Sequence, residues 1–305
     1  MTENRKITEN DLEKLFPKLP EGINKGTMGR LLVVCGSYDE SGLSMCGAAY
    51  FAAKAAYRCG AGVVEIFTAR ENYCALASLV PEAVFSLYGY EENASCTALR
   101  LIESIKKSDA VVLGCGLGKG EMAKAIVQAT LSSVRCPLLI DADGLNILSE
   151  NPKLWSLLDE VQRRRTVITP HPGEMSRLTG NSIPEILAAV PEAAVEFARK
   201  MGVACLLKDH NTAITDGEIV YINQSGNAGM ATAGMGDVLA GIIGALLARA
   251  DKNAENDVLL RAAAGAYLHG RAGDLSAREF GQYSLNSSDL LSEIPTVIAE
   301  IFVKI

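Results

Sequence analysis

An α/β fold of three layers is predicted, with a mostly parallel central sheet between two layers of helices and an antiparallel edge. Three observations predict it. Short continuous apolar runs alternate with longer segments of helical spacing, as expected of parallel strands buried on both faces. Asp216-Gly217 stands between two apolar runs, a strong signal for an antiparallel hairpin. The last third of the chain is helical in pattern.

The elements follow in order. Residues 1–25 read as an N-terminal extension, helical or loosely ordered, ahead of a single domain over 26–305. Leu31 to Cys35 is an apolar run ended by the turn residues Gly36 and Ser37, and it reads as a buried strand. Ser44 to Arg58 is alanine-rich; Ala49, Tyr50, Ala53, Ala56 and Tyr57 recur at helical spacing, and Cys59-Gly60 ends the helix. Strands are expected at Val63–Phe67, Ala110–Leu113, Leu138–Ile140 and Thr166–Ile168, with a helix over Glu121–Ser132. A Pro/Gly turn after Ile168 leads into helices reaching Lys200. Val203–Lys208, Ala213–Thr215 and Ile219–Ile222 are the closely spaced strands of the reversed edge. Helices are expected over Asp237–Ala250, Asp257–Leu275 and from Ser288 onward.

Composition narrows the function. The chain has 305 residues, 49% of them hydrophobic and 21% charged, which is enough apolar material for a large core. A net charge of -7 argues against nucleic-acid binding, which depends on an excess of Lys and Arg. It leaves room for a nucleotide ligand, which needs only local donors. No apolar run approaches the roughly 20 residues that cross a bilayer, and the N-terminus lacks a secretory core, so no membrane association and a cytoplasmic location are expected. The eight cysteines form no CxxC pair and several lie in apolar runs, where reduced thiols act as small hydrophobes. Arg163-Arg164-Arg165, the one compact basic run, reads as a solvated loop.

The chemistry concentrates in Asn227-Ala228-Gly229-Met230-Ala231-Thr232-Ala233-Gly234-Met235-Gly236-Asp237 and the apolar helix behind it. Small residues let main-chain N–H groups approach an anion, and the helix directs its positive dipole end to the same place. Asp237 has two readings here. It could cap the helix, or it could take a proton from a substrate hydroxyl as a phosphoryl group arrives. Capping would not explain the glycines. Asp141-Ala142-Asp143-Gly144-Leu145-Asn146 likewise reads as a paired-acid site or as a helix start. Gly114-Cys115-Gly116-Leu117-Gly118 follows a strand at the end where α/β proteins bind ligands, and alone it is only a weak dinucleotide fingerprint.

The segment Gly229 to Gly241, together with Thr169-Pro170-His171-Pro172-Gly173-Glu174, resembles the ADP/ATP-dependent NAD(P)H-hydrate dehydratases of the ribokinase-like superfamily. Gly114 to Gly118, Asp141 to Asn146, Ala266 to Asp274, Gly47-Ala48-Ala49 and Gly60-Ala61-Gly62 extend the resemblance from about Lys25 to Leu290. It implies a ribokinase-like fold and a repair reaction. NADH or NADPH carrying added water is phosphorylated on the ring hydroxyl and loses phosphate. Asp237, with Gly234 and Gly236, is implied as the catalytic group. Ala48, Gly116, Gly118, His171 and Asp237 are implied to contact the hydrate. Lys208, Asp209, His210, Asn211, Thr212, Asn227 and Gly236 are implied to bind the nucleotide, and Glu174 to help hold Mg²⁺, usually through water. Asp143 and Asn146 border the cleft in this reading. The chain departs from the pattern at Cys115, where relatives often carry proline, and at Asp209, where they carry glycine. ADP as co-substrate, a homotetramer and a separate chain supplying the epimerase are the further expectations. The alternatives are a kinase of hydroxymethylpyrimidine or hydroxyethylthiazole type, disfavoured by His171 to Glu174, and a non-catalytic nucleotide-binding regulator, which would need no base.

Overall fold

A computed structural model describes residues 3–39, 41–89, 92–249 and 258–303. Ten strands form one sheet: β1 Glu3–Arg5, β2 Arg30–Val34, β3 Val63–Ala69, β4 Val84–Tyr88, β5 Ala110–Leu113, β6 Leu138–Ile140, β7 Thr166–Ile168, β8 Ala204–Leu207, β9 Thr212–Thr215 and β10 Ile219–Asn223. Their spatial order is β1-β10-β9-β8-β7-β6-β5-β2-β3-β4. Every pairing is parallel except those of β9, which runs against both β8 and β10. The predicted mixed sheet is thus present, with its hairpin at Asp216-Gly217. The outermost place beyond the hairpin is taken by β1.

The helices are α1 Glu9–Leu15, α2 Cys46–Arg58, α3 Tyr73–Leu79, α4 Ala94–Lys106, α5 Glu121–Ser133, α6 Asp143–Glu150, α7 Glu160–Arg164, α8 Pro172–Thr179, α9 Ile183–Ala188, α10 Val190–Met201, α11 Met235–Ala248, α12 Val258–Phe280 and α13 Ser287–Val303. The alternation along β2 shows how the layers are built. Leu31 and Val33 face a core made by α2, α11, α12 and α13, while Leu32 and Val34 face a second core made by α4, α5, α6, α8 and α10. All four are fully buried. Both sides of the strand therefore need apolar residues, and the run is continuous rather than alternating.

Several expected boundaries move by one to three residues; α11, for example, begins at Met235 rather than Asp237. The expected helix limits at Ala250 and Asp257 lie outside the described residues. Within 1–25 the chain forms both a strand and a helix: β1 pairs with β10, and α1 carries the full capping box Thr8-x-x-Asp11. No element was expected over 84–106, where β4 and α4 lie. β4 is an edge strand only partly covered, and the buried stripe of α4 includes Thr97 and Ser104, so neither shows clean apolar periodicity.

The two helices nearest the carboxyl ends of the central strands, α2 and α11, meet at a glycine. A Cβ built on Gly241 would run into the main-chain carbonyl of Ala52. Neither backbone has room to yield, so Gly241→Ala is expected to lower stability by about 2 kcal/mol through overpacking. An unchanged urea midpoint would show that the two helices part more freely than this contact implies.

Candidate active site

The carboxyl ends of β5, β6, β7 and β8 meet the amino end of α11, next to the point between β2 and β5 where strand order reverses. Gly36 and Ser37 after β2 donate N–H bonds to the carbonyls of Cys115 and Gly116 after β5, closing the sheet's switch point. Gly116 has a φ of 57°, and a Cβ there would lie 2.9 Å from the Cβ atoms of both Ala48 and Met45. Ala48 and Gly116, both expected at one substrate site, are thus direct neighbours. Gly118 N–H donates to Asp143 Oδ2 at 2.8 Å, and Asn146 bridges Asp143 to Arg177 of α8.

Asp141, Asp237, Cys115, Lys208 and Glu174 form the polar centre. Lys208 Nζ donates to Asp141 Oδ1 at 2.8 Å and lies 3.9 Å from Glu174 Oε2. Thr169 Oγ1 donates to the same Asp141 oxygen at 2.8 Å. Cys115 Sγ sits 3.7 Å from Asp141 Oδ2. One donor atom from each of Cys115, Asp141 and Asp237 lies within 4.8 Å of the others. The turn bearing Asp141 holds Ala142 at φ 48° and ψ −116°, the one non-glycine with positive φ among the described residues. Such strain persists only where the surroundings enforce it.

Asp237 does not occupy the cap position of its helix. The helix is capped by Gly234, in left-handed conformation at φ 89°, and Asp237 stands three residues inside, in the first turn. Burial and the nearby Asp141 charge push its carboxyl up to about 7, against the opposing pull of the Cys115 thiol and Lys208. A carboxylate with that value accepts protons near neutrality, as a general base requires. Lys208 shows the reverse balance: burial disfavours its charge, but Asp141 and Glu174 hold it protonated, with a net upward shift.

His171 and Glu174 form a reciprocal cap on α8. His171 N–H donates to Glu174 Oε2 at 2.8 Å, and Gly173 N–H donates to His171 Nδ1 at 3.0 Å. The imidazole is half-exposed and its pKa is lowered, chiefly by burial and then by Lys208, so it is neutral at pH 7. Burial raises the Glu174 carboxyl. One of its oxygens accepts from the His171 main chain and the other lies 3.4 Å from His171 Nε2. With both oxygens facing partners, Glu174 suits an ion that keeps its water shell, acting through that water rather than as a direct ligand.

The expected nucleotide-contact residues divide. Gly236 faces the polar centre; a Cβ there would lie 3.6 Å from Asp141 Oδ2 and 3.7 Å from Lys208 Nζ. Asp209, His210 and Asn211 are exposed on the turn between β8 and β9, which Thr212 closes by donating to the Asp209 carbonyl at 2.9 Å. The Asn227 amide is engaged with the protein itself, donating to the Gly273 carbonyl at 3.0 Å and to Asp274 Oδ1 at 3.2 Å. Asp274 also accepts from Gly226 N–H, so it anchors the glycine loop to α12. A cavity of about 1000 Å³ lined by Arg163, Lys200 and Glu218 opens at the amino end of β8, away from all these groups. Sequence reasoning gave Asp141 no partner and Cys115 no role. Lys208 and Asp141 each follow a strand directly, and that shared placement was the available signal.

A family model described as NAD(P)H-hydrate dehydratase matches residues 31–296. The bifunctional NAD(P)H-hydrate repair enzyme Nnr of Thermofilum pendens is 38% identical over 300 residues, which cover 96% of this chain and 54% of that protein. The chain spans about half the length of the bifunctional relatives it matches. The ADP-dependent (S)-NAD(P)H-hydrate dehydratase of Neisseria meningitidis is 36% identical, covering 88% of this chain and 83% of the relative. The crystal structure of the ADP/ATP-dependent NAD(P)H-hydrate dehydratase from Bacillus subtilis, co-crystallised with ATP and Mg²⁺, superposes with a TM-score of 0.77 at 25% identity, covering 96% of this chain and 97% of that one.

Proposed function

The chain belongs to the NAD(P)H-hydrate dehydratase family, and from that premise we propose that it restores hydrated NADH or NADPH at the expense of a nucleotide, with Asp237 as the base. The observation that carries the reading is a carboxylate tuned to about 7 at the amino end of α11, beside Gly234 and Gly236. Asp237 takes the proton of the ring hydroxyl as that oxygen attacks the terminal phosphoryl group. Free N–H groups of the first turn of α11 stabilise the charge on the phosphoryl oxygens. Loss of phosphate from the ring then restores the double bond, phosphate being a far better leaving group than hydroxide. Mg²⁺, when bound, neutralises charge on the nucleotide phosphates, with Glu174 meeting it through water.

Ala48, Gly116, Gly118 and the neutral His171 are read as the hydrate side of the site. Lys208, the 209–212 turn and the Asn227 loop are read as the nucleotide side. ADP is the preferred co-substrate in this reading, supported by the relatives named for it. Cytoplasmic residence, a homotetramer, a single domain over 26–305 and an epimerase acting separately complete it. Among the described residues no helix is long and apolar enough to cross a membrane.

The test is to incubate the protein with hydrated NADH, Mg²⁺ and ADP or ATP, following recovery of reduced-nicotinamide absorbance and release of phosphate. A phosphorylated product that retains the added water would instead indicate a kinase. Because Asp237 must be ionised to act, kcat/KM is expected to rise with pH through about 7 and then level off. A profile flat from well below that value would remove Asp237 as the titrating base.

A further inference from the structure

Asp141, Thr169 and Lys208 directly follow three neighbouring parallel strands, β6, β7 and β8, and so share one rim of the sheet. Asp141 and Thr169 are almost wholly buried, at 2% and 1% exposure. The Thr169 hydroxyl and the Lys208 ammonium both donate to Asp141 Oδ1, each at 2.8 Å. The reaction as read above gives Asp141 and Thr169 no part.

The backbone of Asp141 is pinned. Its N–H donates to the Leu113 carbonyl at 3.0 Å, and its carbonyl accepts from Gly144 N–H at 3.0 Å. A Cβ built on Gly114 would lie 2.2 Å from that same carbonyl oxygen. Lysine, by contrast, carries its charge on a flexible stem, so the group that holds the ammonium decides where the charge lies. An ammonium has three protons. Among the described residues Lys208 Nζ donates one hydrogen bond, to Asp141, and Glu174 Oε2 at 3.9 Å is beyond hydrogen-bond reach. Two protons are left for a ligand. Lys208 also stands beside the first turn of α11, where a Cβ on Gly236 would lie 3.7 Å from Nζ. The ammonium and the free N–H groups of that turn thus border one space, and both favour an anion there. The lysine side chain is 23% exposed and that of Asp141 3%, so the cation of the pair is the open member.

We propose that Asp141 and Thr169 are positioning residues: the hydroxyl fixes the carboxylate, and the carboxylate fixes the Lys208 ammonium beside the first turn of α11, where it meets the terminal phosphoryl group of the nucleotide as that group is transferred. No covalent bond to any of the three forms or breaks. Without the hydroxyl the carboxylate is free to turn about Cα–Cβ, and without the acid the ammonium is free to lean toward Glu174. The inference rests on the reading of Lys208 as part of the nucleotide side.

Thr169→Val keeps the shape and every charge and removes only the hydroxyl, which Thr169→Ser restores. Calorimetric titration with ADP and with AMP, Mg²⁺ present in both, measures what the terminal phosphate contributes. The parent is expected to prefer ADP. Thr169→Val should lose that preference several-fold with its AMP affinity unchanged, and Thr169→Ser should recover it. At about pH 8.5, above the titration of Asp237, kcat of Thr169→Val should fall several-fold with the hydrate KM unchanged. Asp141→Asn should lower kcat by about 10²-fold, the effect of a misplaced group, although removing negative charge from beside the phosphates favours nucleotide binding. A parent indifferent between ADP and AMP, a Thr169→Val preference equal to the parent's, or equal losses of both affinities would overturn the proposal. So would an Asp141→Asn kcat at or above the parent's, which would mean that the acid merely neutralises Lys208. The threonine variants decide the matter even if Asp141→Asn does not fold. Failure of the parent to turn over the hydrate would reject the proposed reaction, while the two nucleotide titrations would still decide the positioning role.

Discussion

Asp237→Asn is expected to lower kcat for the hydrate by about 10³-fold, within the range typical of a lost general base. The asparagine fills the same space and leaves the first turn of α11 and its N–H groups in place, so affinity for the nucleotide should change little. Steady-state absorbance recovery gives the first quantity and calorimetric titration of ADP the second. Normal turnover would refute the assignment. A loss in both together would mean that the loop had been disturbed rather than the base removed. A second signature concerns stability. An acid whose folded pKa lies above its unfolded one favours the folded state while protonated, and that contribution is lost as pH rises from 3.8 to about 7. Above pH 7 the parent carries an ionised buried carboxylate beside Asp141, and the variant does not. The variant should therefore unfold at higher urea concentration than the parent at alkaline pH, and the difference should shrink as the pH is lowered.

Lys208→Met has the second large effect, and it acts first on folding. Lys208 is the cation between two nearly inaccessible acids, Asp141 at 3% and Glu174 at 5% side-chain exposure. Removing one member of such a pair leaves the other charge buried without its partner, which destabilises by about 3 kcal/mol or more. The Lys208 side chain is itself 23% exposed, so water entering the gap holds the loss toward the low end. Urea denaturation at pH 8 measures it. Repeating the measurement near pH 4, where carboxylates begin to protonate, should narrow the gap. The variant's kcat/KM profile should also move to higher pH, because Lys208 lowers the pKa of Asp237. A stable variant with an unmoved profile would contradict the arrangement.

Much of this was legible in the sequence for identifiable reasons. The strands from β5 to β8 sit under helices on both faces, so their runs are apolar but for Thr166 and easily seen. The glycine loop announces itself because its backbone conformation excludes side chains. What escaped detection depends on neighbours distant along the chain. β4 and α4 lie near the uncovered margin of the sheet, where polar and apolar residues mix. The pairing of Lys208 with Asp141 spans 67 positions, and nothing local to either residue encodes it. Cys115 looked like one more buried thiol because its two carboxylate neighbours come from the ends of other elements. Ala142, an ordinary residue by composition, holds the most constrained backbone at the site for the same reason. Asn227, which the resemblance implies as a nucleotide contact, has its amide engaged with α12.

The close approach of Gly241 to the Ala52 carbonyl bears on motion as well as packing. Two helices touching through main-chain atoms cannot slide or part without breaking that fit, so α2 and α11 must travel as one body. Ala48 rides on the first and Asp237 on the second, and the distance between these two residues is therefore set before any ligand arrives.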